Sequence, residues 1–172
     1  MKLLTVIVIL FFGVTAYSQT KIDQKLKELG IELPPASAPV ATYVNAVTTE
    51  GNLVFLAGKG PQNPDGSYVT GKVGKDLTQE QGYAAARLTG INQLAALKAH
   101  LGSLDKVKRI VKVTGMVNCH SDFTNQPEVM NGYSDLMVEV FGENGKHART
   151  SIGVNALPRN IAVEVEMIVE VD

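Results

Sequence analysis

The chain has 172 residues, 45% hydrophobic and 19% charged, which suits one globular domain with a core of its own. Its net charge is −1, and its longest basic cluster, "KVKR" at Lys106 to Arg109, alternates as a strand edge does. The electrostatic footprint of a nucleic-acid binder is therefore missing, and no nucleic-acid partner is expected.

Residues 1–18 read as a signal peptide. Lys2 supplies a positive start, Leu3 to Val14 form an apolar run too short to span a bilayer comfortably, and Ala16 and Ser18 place small residues at −3 and −1 of a cleavage site. Cleavage near Ser18/Gln19 would send the protein out of the cytoplasm, periplasmic or extracellular, with no membrane association afterwards. No cysteine stands near the cleavage site, so a lipid-anchored form is not expected.

Residues 19–40 form an N-terminal helix and linker. In Lys21 to Leu29, Ile22, Leu26 and Leu29 recur at helical spacing and Gly30 stops the run. Prolines 34, 35 and 39 then keep the chain extended. Residues 41–172 make the main domain. Tyr43 to Thr49 and "LVFLAGKG" (Leu53 to Gly60) flank Glu50-Gly51-Asn52, which predicts a hairpin. Gly58 and Gly60 end its second strand, where a backbone can approach a ligand closely. "NPDGS" predicts a turn and "YVTGKVGKD" a weak edge strand.

Thr78 and Gln81 form a capping box opening a helix that Gly102 closes, with Ala84, Leu88, Ile91, Ala95 and Leu101 as its expected inward stripe, widened by Leu94. Val107 to Val117 reads as a strand. Residues 126–141 read as a second helix with Val129, Tyr133, Leu136, Met137 and Val140 inward. The closing stretch, "ARTSIGVNALPRNIAVEVEMIVEV" (Ala148 to Val171), reads as two strands. The order ββ(β)-α-β-α-ββ predicts an α+β fold: a mixed sheet with two helices on one face and the other face polar or covered by another subunit.

Cys119 is the only cysteine, which excludes an intrachain disulfide and suggests a buried or half-buried thiol at a strand end. His100, His120 and His147 lack ligand spacing, and no metal site is expected. In the closing pair of strands, Thr150, Ile152 and Val154 are the apolar set of the first, and Ile161, Val163, Val165 and Met167 belong to that of the second. If both sets face one core, Arg149, Ser151 and Gly153 share the outer face with Glu164 and Glu166. A hairpin looped by "LPRN" would pair Arg149 with Ile168 and leave Glu164 roughly 13 Å further along the strand. Ordinary surface charges fit that spacing, and a shared site would need strand twist, a bulge, a longer loop or a neighbouring chain to close the gap.

"ARTSIGVNALPRNIAVEVEMI" resembles the C-terminal signature of the Rid (YjgF) family, the enamine/imine deaminases. The resemblance runs from about Tyr43 to Val171 and includes "NLVFLAGKGP", "VTGMVN" and "VMNGYSDL". It implies a chorismate-mutase-like fold packed as a homotrimer with sites at subunit interfaces. It also implies a cofactor-free hydrolysis of small 2-imino or enamine acids. In that family the arginine matching Arg149 pairs with a substrate carboxylate and the glutamate matching Glu164 handles the attacking water. The positions matching Tyr43 and Gly58 line the pocket. This chain departs from the pattern at Ser151, often cysteine, and at Met130, often a pocket asparagine, with Asn131 one residue off. Gly153 replaces a larger residue and should leave more room. These departures, and export, keep open a second reading: a trimer that binds a carboxylate ligand without turnover. Endoribonuclease or translation-inhibitor activity, assigned to some relatives, lacks a basic groove here, and chorismate mutation would follow from fold analogy alone.

Overall fold

Thr20 opens the first helix, its hydroxyl accepting the Asp23 amide at 3.2 Å. The computed structural model describes residues 20–39 and 41–172, so the expected signal peptide lies outside the described residues. α1 (Lys21–Glu28) buries Leu26 and is tied down at its first turn. Asp105 accepts the Lys21 and Ile22 amides at 3.1 and 2.9 Å, and Asp23 pairs with Lys98 at 2.6 Å. β1 (Ala46–Thr48) and β2 (Leu53–Lys59) form the expected hairpin, with Ala46 opposite Leu56.

The expected edge strand at residues 68–76 does not form. Gly71 and Gly74 adopt φ of +115° and +83°, and Asp76 and Leu77 both donate their amides back to the Lys72 carbonyl. That turn takes up the backbone groups a strand would use, leaving isolated bridges such as Thr70–Ile161 and Val73–Cys119.

α2 (Gln79–Leu101) carries the full capping box and ends at Gly102 in the left-handed region. Its buried face is rotated from the expected stripe. Leu94 and Ala95 are buried as expected, but Ala84 is exposed and Leu88, Ile91 and Leu101 are half-buried, whereas Ala85, Ala86, Thr89, Gly90, Gln93 and Leu97 are buried. Small residues let α3 (Gln126–Phe141) approach closely. A Cβ on Gly90 would lie 2.7 Å from Leu136, so backbone proximity, not side-chain hydrophobicity, selects this face. The inward set expected on α3, Val129, Tyr133, Leu136, Met137 and Val140, is buried throughout.

β3 (Val107–Asn118), β4 (Ala148–Val154) and β5 (Val163–Val171) complete a sheet of order β1-β2-β5-β3-β4, with both long helices on one face. The fold is α+β, as expected. The closing hairpin, however, is absent. After α3 carries the chain back, β4 runs parallel to β3 along one edge, with Val113 opposite Arg149 and Met116 opposite Ile152. β5 crosses to the other edge of β3 and pairs antiparallel with it and with β2. The buried Asn118 side chain fixes that crossing, donating to Asn160 Oδ1 at 3.0 Å and to the Ile161 carbonyl at 3.2 Å.

This topology also overturns the shared face. Arg149, Ser151 and Gly153 stand beside Val113, Gly115 and Val117, which are buried under the helices. Glu164 and Glu166 stand beside Met116 and Thr114 on the open face. β4 is an edge strand, and its apolar even residues face outward: Ile152 is 43% exposed. Together with Val47 and Phe55 it gives the open face an exposed apolar character.

Candidate functional site

Glu164 lies on β5 where β2 breaks register between Leu56 and Lys59. The irregularity brings Gly58 against the glutamate side chain: a Cβ there would lie 3.0 Å from the Glu164 carboxyl carbon. Only glycine leaves room for the carboxylate to fold down onto the strand. Burial, with Glu166 nearby as a second cause, pushes the Glu164 carboxyl above the usual carboxylate range. Tyr43 joins Gly58 and Glu164 along a groove of 380 Å³ that Tyr68 and Arg159 also line. Arg159 lies 5.9 Å over the Tyr68 ring. Its left-handed φ of 55°, shared by Asn160, marks the sharp turn that brings β5 back past the groove. Neither Tyr68 nor Arg159 was among the sequence candidates, because the loop that bridges Thr70 to Ile161 alone brings them there.

Arg149 points the other way, toward α3. Its Nη1 donates to Asn131 Oδ1 at 3.0 Å and to Ser134 Oγ at 2.9 Å, and its Nη2 donates to the Pro127 carbonyl at 3.2 Å. All three acceptors are neutral, and among the described residues no carboxylate pairs with this arginine. A guanidinium has five N–H donors, so Nε–H and one Nη2–H remain for a ligand. A fork of this kind suits a carboxylate.

Asn131 thus supports the Arg149 guanidinium, and Met130 does not compete. Met130 is fully buried and fills the space over Gly115. Ser151 sits two positions beyond Arg149 on the same face, half-buried. The room expected at Gly153 is taken: a Cβ there would lie 2.8 Å from Cys119 Sγ and 2.6 Å from the Gln126 amide. Cys119 is itself buried, as expected. Ser134 and His147 also belong to this cluster, though spacing alone gave no signal for either.

The structure therefore sorts the candidates into two groups. Tyr43, Gly58 and Glu164 share a groove, whereas Arg149 meets Asn131 of α3 and Ser151 lies on the same face of β4 as Arg149. Through the register of β3, Glu164 aligns with Ile152, three residues past Arg149 and two strands away. That separates the groups by about 10 Å along each direction. The sheet itself lies between them, so one subunit cannot close both groups on one small ligand. Among the described residues, no three His, Cys, Asp or Glu side chains converge as a metal cage would require.

A family model described as "YjgF/chorismate_mutase-like, putative endoribonuclease" matches residues 23–171. Protein TCP17 of Trypanosoma cruzi is 43% identical over 88% of this chain and 95% of its own length. A protein of Dermatophagoides farinae named 2-iminobutanoate/2-iminopropanoate deaminase is 32% identical over 83% of this chain and 95% of its own. A crystal structure from Agrobacterium tumefaciens, of unknown function, superposes with a TM-score of 0.80 at 41% identity, covering 88% of this chain and 94% of that one. One from Shewanella oneidensis, called a putative endoribonuclease, superposes at 0.84 with 31% identity, covering 88% of this chain and all of that one. With the helices, sheet and residue spacing in agreement, the chain belongs to the YjgF (Rid) family.

Proposed function

We propose that the protein hydrolyses small 2-imino acids, and their enamine tautomers, to 2-oxo acids and ammonia. Each site would be assembled from Arg149 of one subunit and Glu164 of another in a homotrimer. The observation that carries this reading is the pair of complementary half-sites: a guanidinium without a carboxylate partner, and a half-buried carboxyl with a raised pKa, on opposite faces of one sheet. Hydrolysis needs both halves, and the exposed Val47, Phe55 and Ile152 supply an apolar face for assembly.

The chemistry follows from the two groups. The free N–H fork of Arg149 holds the substrate carboxylate and fixes the neighbouring imine carbon. Glu164 accepts a proton from water as its oxygen bonds to that carbon, giving a carbinolamine. The same carboxyl then returns the proton to nitrogen and takes the one on the carbinolamine hydroxyl as the C–N bond breaks, so that ammonia leaves a carbonyl behind. A raised pKa suits a group that must take a proton and give it back near neutral pH. A protonated imine is already electrophilic, so the reading calls for no cofactor or metal. The named imine deaminase among the relatives supports it.

Binding of a carboxylate ligand without turnover is the second reading. It is favoured by the completeness of the Arg149 cluster, which needs nothing from Glu164 to hold an anion.

Ammonia release decides between them. Residues 19–172 are offered small, branched and aromatic 2-imino acids generated in place by an amino-acid oxidase. Acceleration over buffer that Arg149→Ala and Glu164→Ala both abolish is the expected result. No acceleration with any imine, together with saturable binding of 2-oxobutanoate, would assign the protein to the second reading.

A further inference from the structure

His147 is unused by the chemistry above, yet it is wired into the arginine. Its ring lies between two oxygens: Nδ1 is 2.7 Å from the Gly145 carbonyl and Nε2 is 3.0 Å from Ser134 Oγ. A carbonyl can only accept, so Nδ1 carries the proton and, in the neutral ring, Nε2 is the acceptor. Ser134 must then give its single hydroxyl proton to His147, leaving only lone pairs for Arg149. Arg149 Nη1 fills one of them at 2.9 Å. The polarity of the whole chain, Arg149 to Ser134 to His147 to Gly145, is fixed from one end.

We infer that His147 is a positioning residue for the carboxylate-binding arginine, acting through Ser134. The inference rests on the proposed role of Arg149 as the carboxylate holder and adds what determines its orientation. With Ser134 and Asn131 taking the two Nη1 hydrogens, the guanidinium cannot rotate to offer its Nη1 end, and Nε with Nη2 form the edge that meets a ligand. Burial, opposed by the Gly145 carbonyl and aided by the nearby Arg149 charge, lowers the pKa of His147 and keeps the ring neutral. Arg149 on β4 is the charge that faces it. From α3 it meets the neutral Ser134, with Glu128 three hydrogen bonds further on through Arg149 and Asn131, and the turn before it carries the exposed Lys146–Glu143 pair. Protonation would strip the ring of its acceptor and place a second cation beside the first, so Ser134 would lose its fixed polarity.

The test uses residues 19–172 in the variants His147→Phe, His147→Gln and Ser134→Ala, with thermal melts to establish that each folds. Nitrogen-15 spectra of wild type are expected to show His147 as the Nδ1–H tautomer, and a slowly rotating Arg149 guanidinium that His147→Phe and Ser134→Ala set free. Binding of 2-oxobutanoate should weaken roughly tenfold in those two variants, the scale of losing a hydrogen bond to a charged group. His147→Gln, whose side-chain oxygen can accept from Ser134, should recover most of the affinity. As pH falls through the pKa of His147, wild-type affinity should change more steeply than that of His147→Gln, in which Glu164 still titrates. An Nε2–H tautomer, or a guanidinium signal unmoved by His147→Phe, overturns the inference. Wild type that neither binds 2-oxobutanoate nor releases ammonia overturns the proposed function instead, while the spectra still decide the relay.

Discussion

Glu164 rests half out of water on the backbone of Gly58, and both facts bear on its proton. A carboxyl whose folded pKa is raised holds its proton more tightly folded than unfolded. Its ionised form therefore costs stability above the ordinary carboxylate range, and the cost vanishes as pH falls to that range. Glu164→Gln keeps the shape and removes the charge. It should raise the melting temperature at pH 7, with the gain shrinking toward pH 4, while turnover drops by roughly 10²- to 10⁴-fold, the usual worth of a general acid–base group. Melting curves across pH, read beside ammonia release, check both halves. A variant that melts lower than wild type at pH 7 would mean that the carboxylate is held by a partner charge.

At the scale of elements, the contact between α2 and α3 depends on glycines. A Cβ on Gly132 would meet the Tyr83 backbone, with its carbonyl carbon at 2.9 Å, where no side chain can yield. Gly132→Ala should therefore lower stability by about 1–3 kcal/mol, a fall of about 2–12 °C in Tm by differential scanning calorimetry. Nothing in the sequence pattern of α2 announces this face, since Gly82, Ala86 and Gly90 look neutral to a hydrophobic periodicity. The helices themselves were legible, because the capping box at Thr78, the stop at Gly102 and the stripe on α3 are local signals. Strand pairing was not. Alternation tells which residues of one strand share a face, but not which face an edge strand turns to the core. In β4 the apolar Ile152 faces out and the charged Arg149 faces in, because three oxygens of α3 receive it. Arg149, Glu164, Tyr43 and Gly58 were nameable as candidates from their resemblance to a family signature, and Asn131 from lying one residue off it. Ser134 and His147 become visible only once α3 is laid over β4.

For the whole molecule, the proposed division of the site between subunits makes a prediction about mixtures. Arg149→Ala and Glu164→Ala subunits should each be inactive alone. Refolded together one to one, they should regain roughly a quarter of wild-type activity, because a random interface joins an intact arginine to an intact glutamate in about one case in four. Sizing and ammonia release on the mixed sample check this. No recovery, despite mixed trimers, would place both residues' work within one subunit or deny it altogether. An Ile152→Glu change on the exposed face gives the matching control, since it should yield monomers.

The buried Tyr133 has one more consequence. The chain contains no tryptophan, and of the tyrosines at 43, 68, 83 and 133 only Tyr133 is fully enclosed, its hydroxyl donating to Met167 Sδ at 3.3 Å. Its ring is anchored between α3 and the central strand. Near-ultraviolet circular dichroism of this protein is therefore chiefly an optical report from one place, the seat of the helix that carries Asn131 and Ser134. Loosening of the arginine's support would be visible there as a fading tyrosine band, before the far-ultraviolet signal of the helices changes at all.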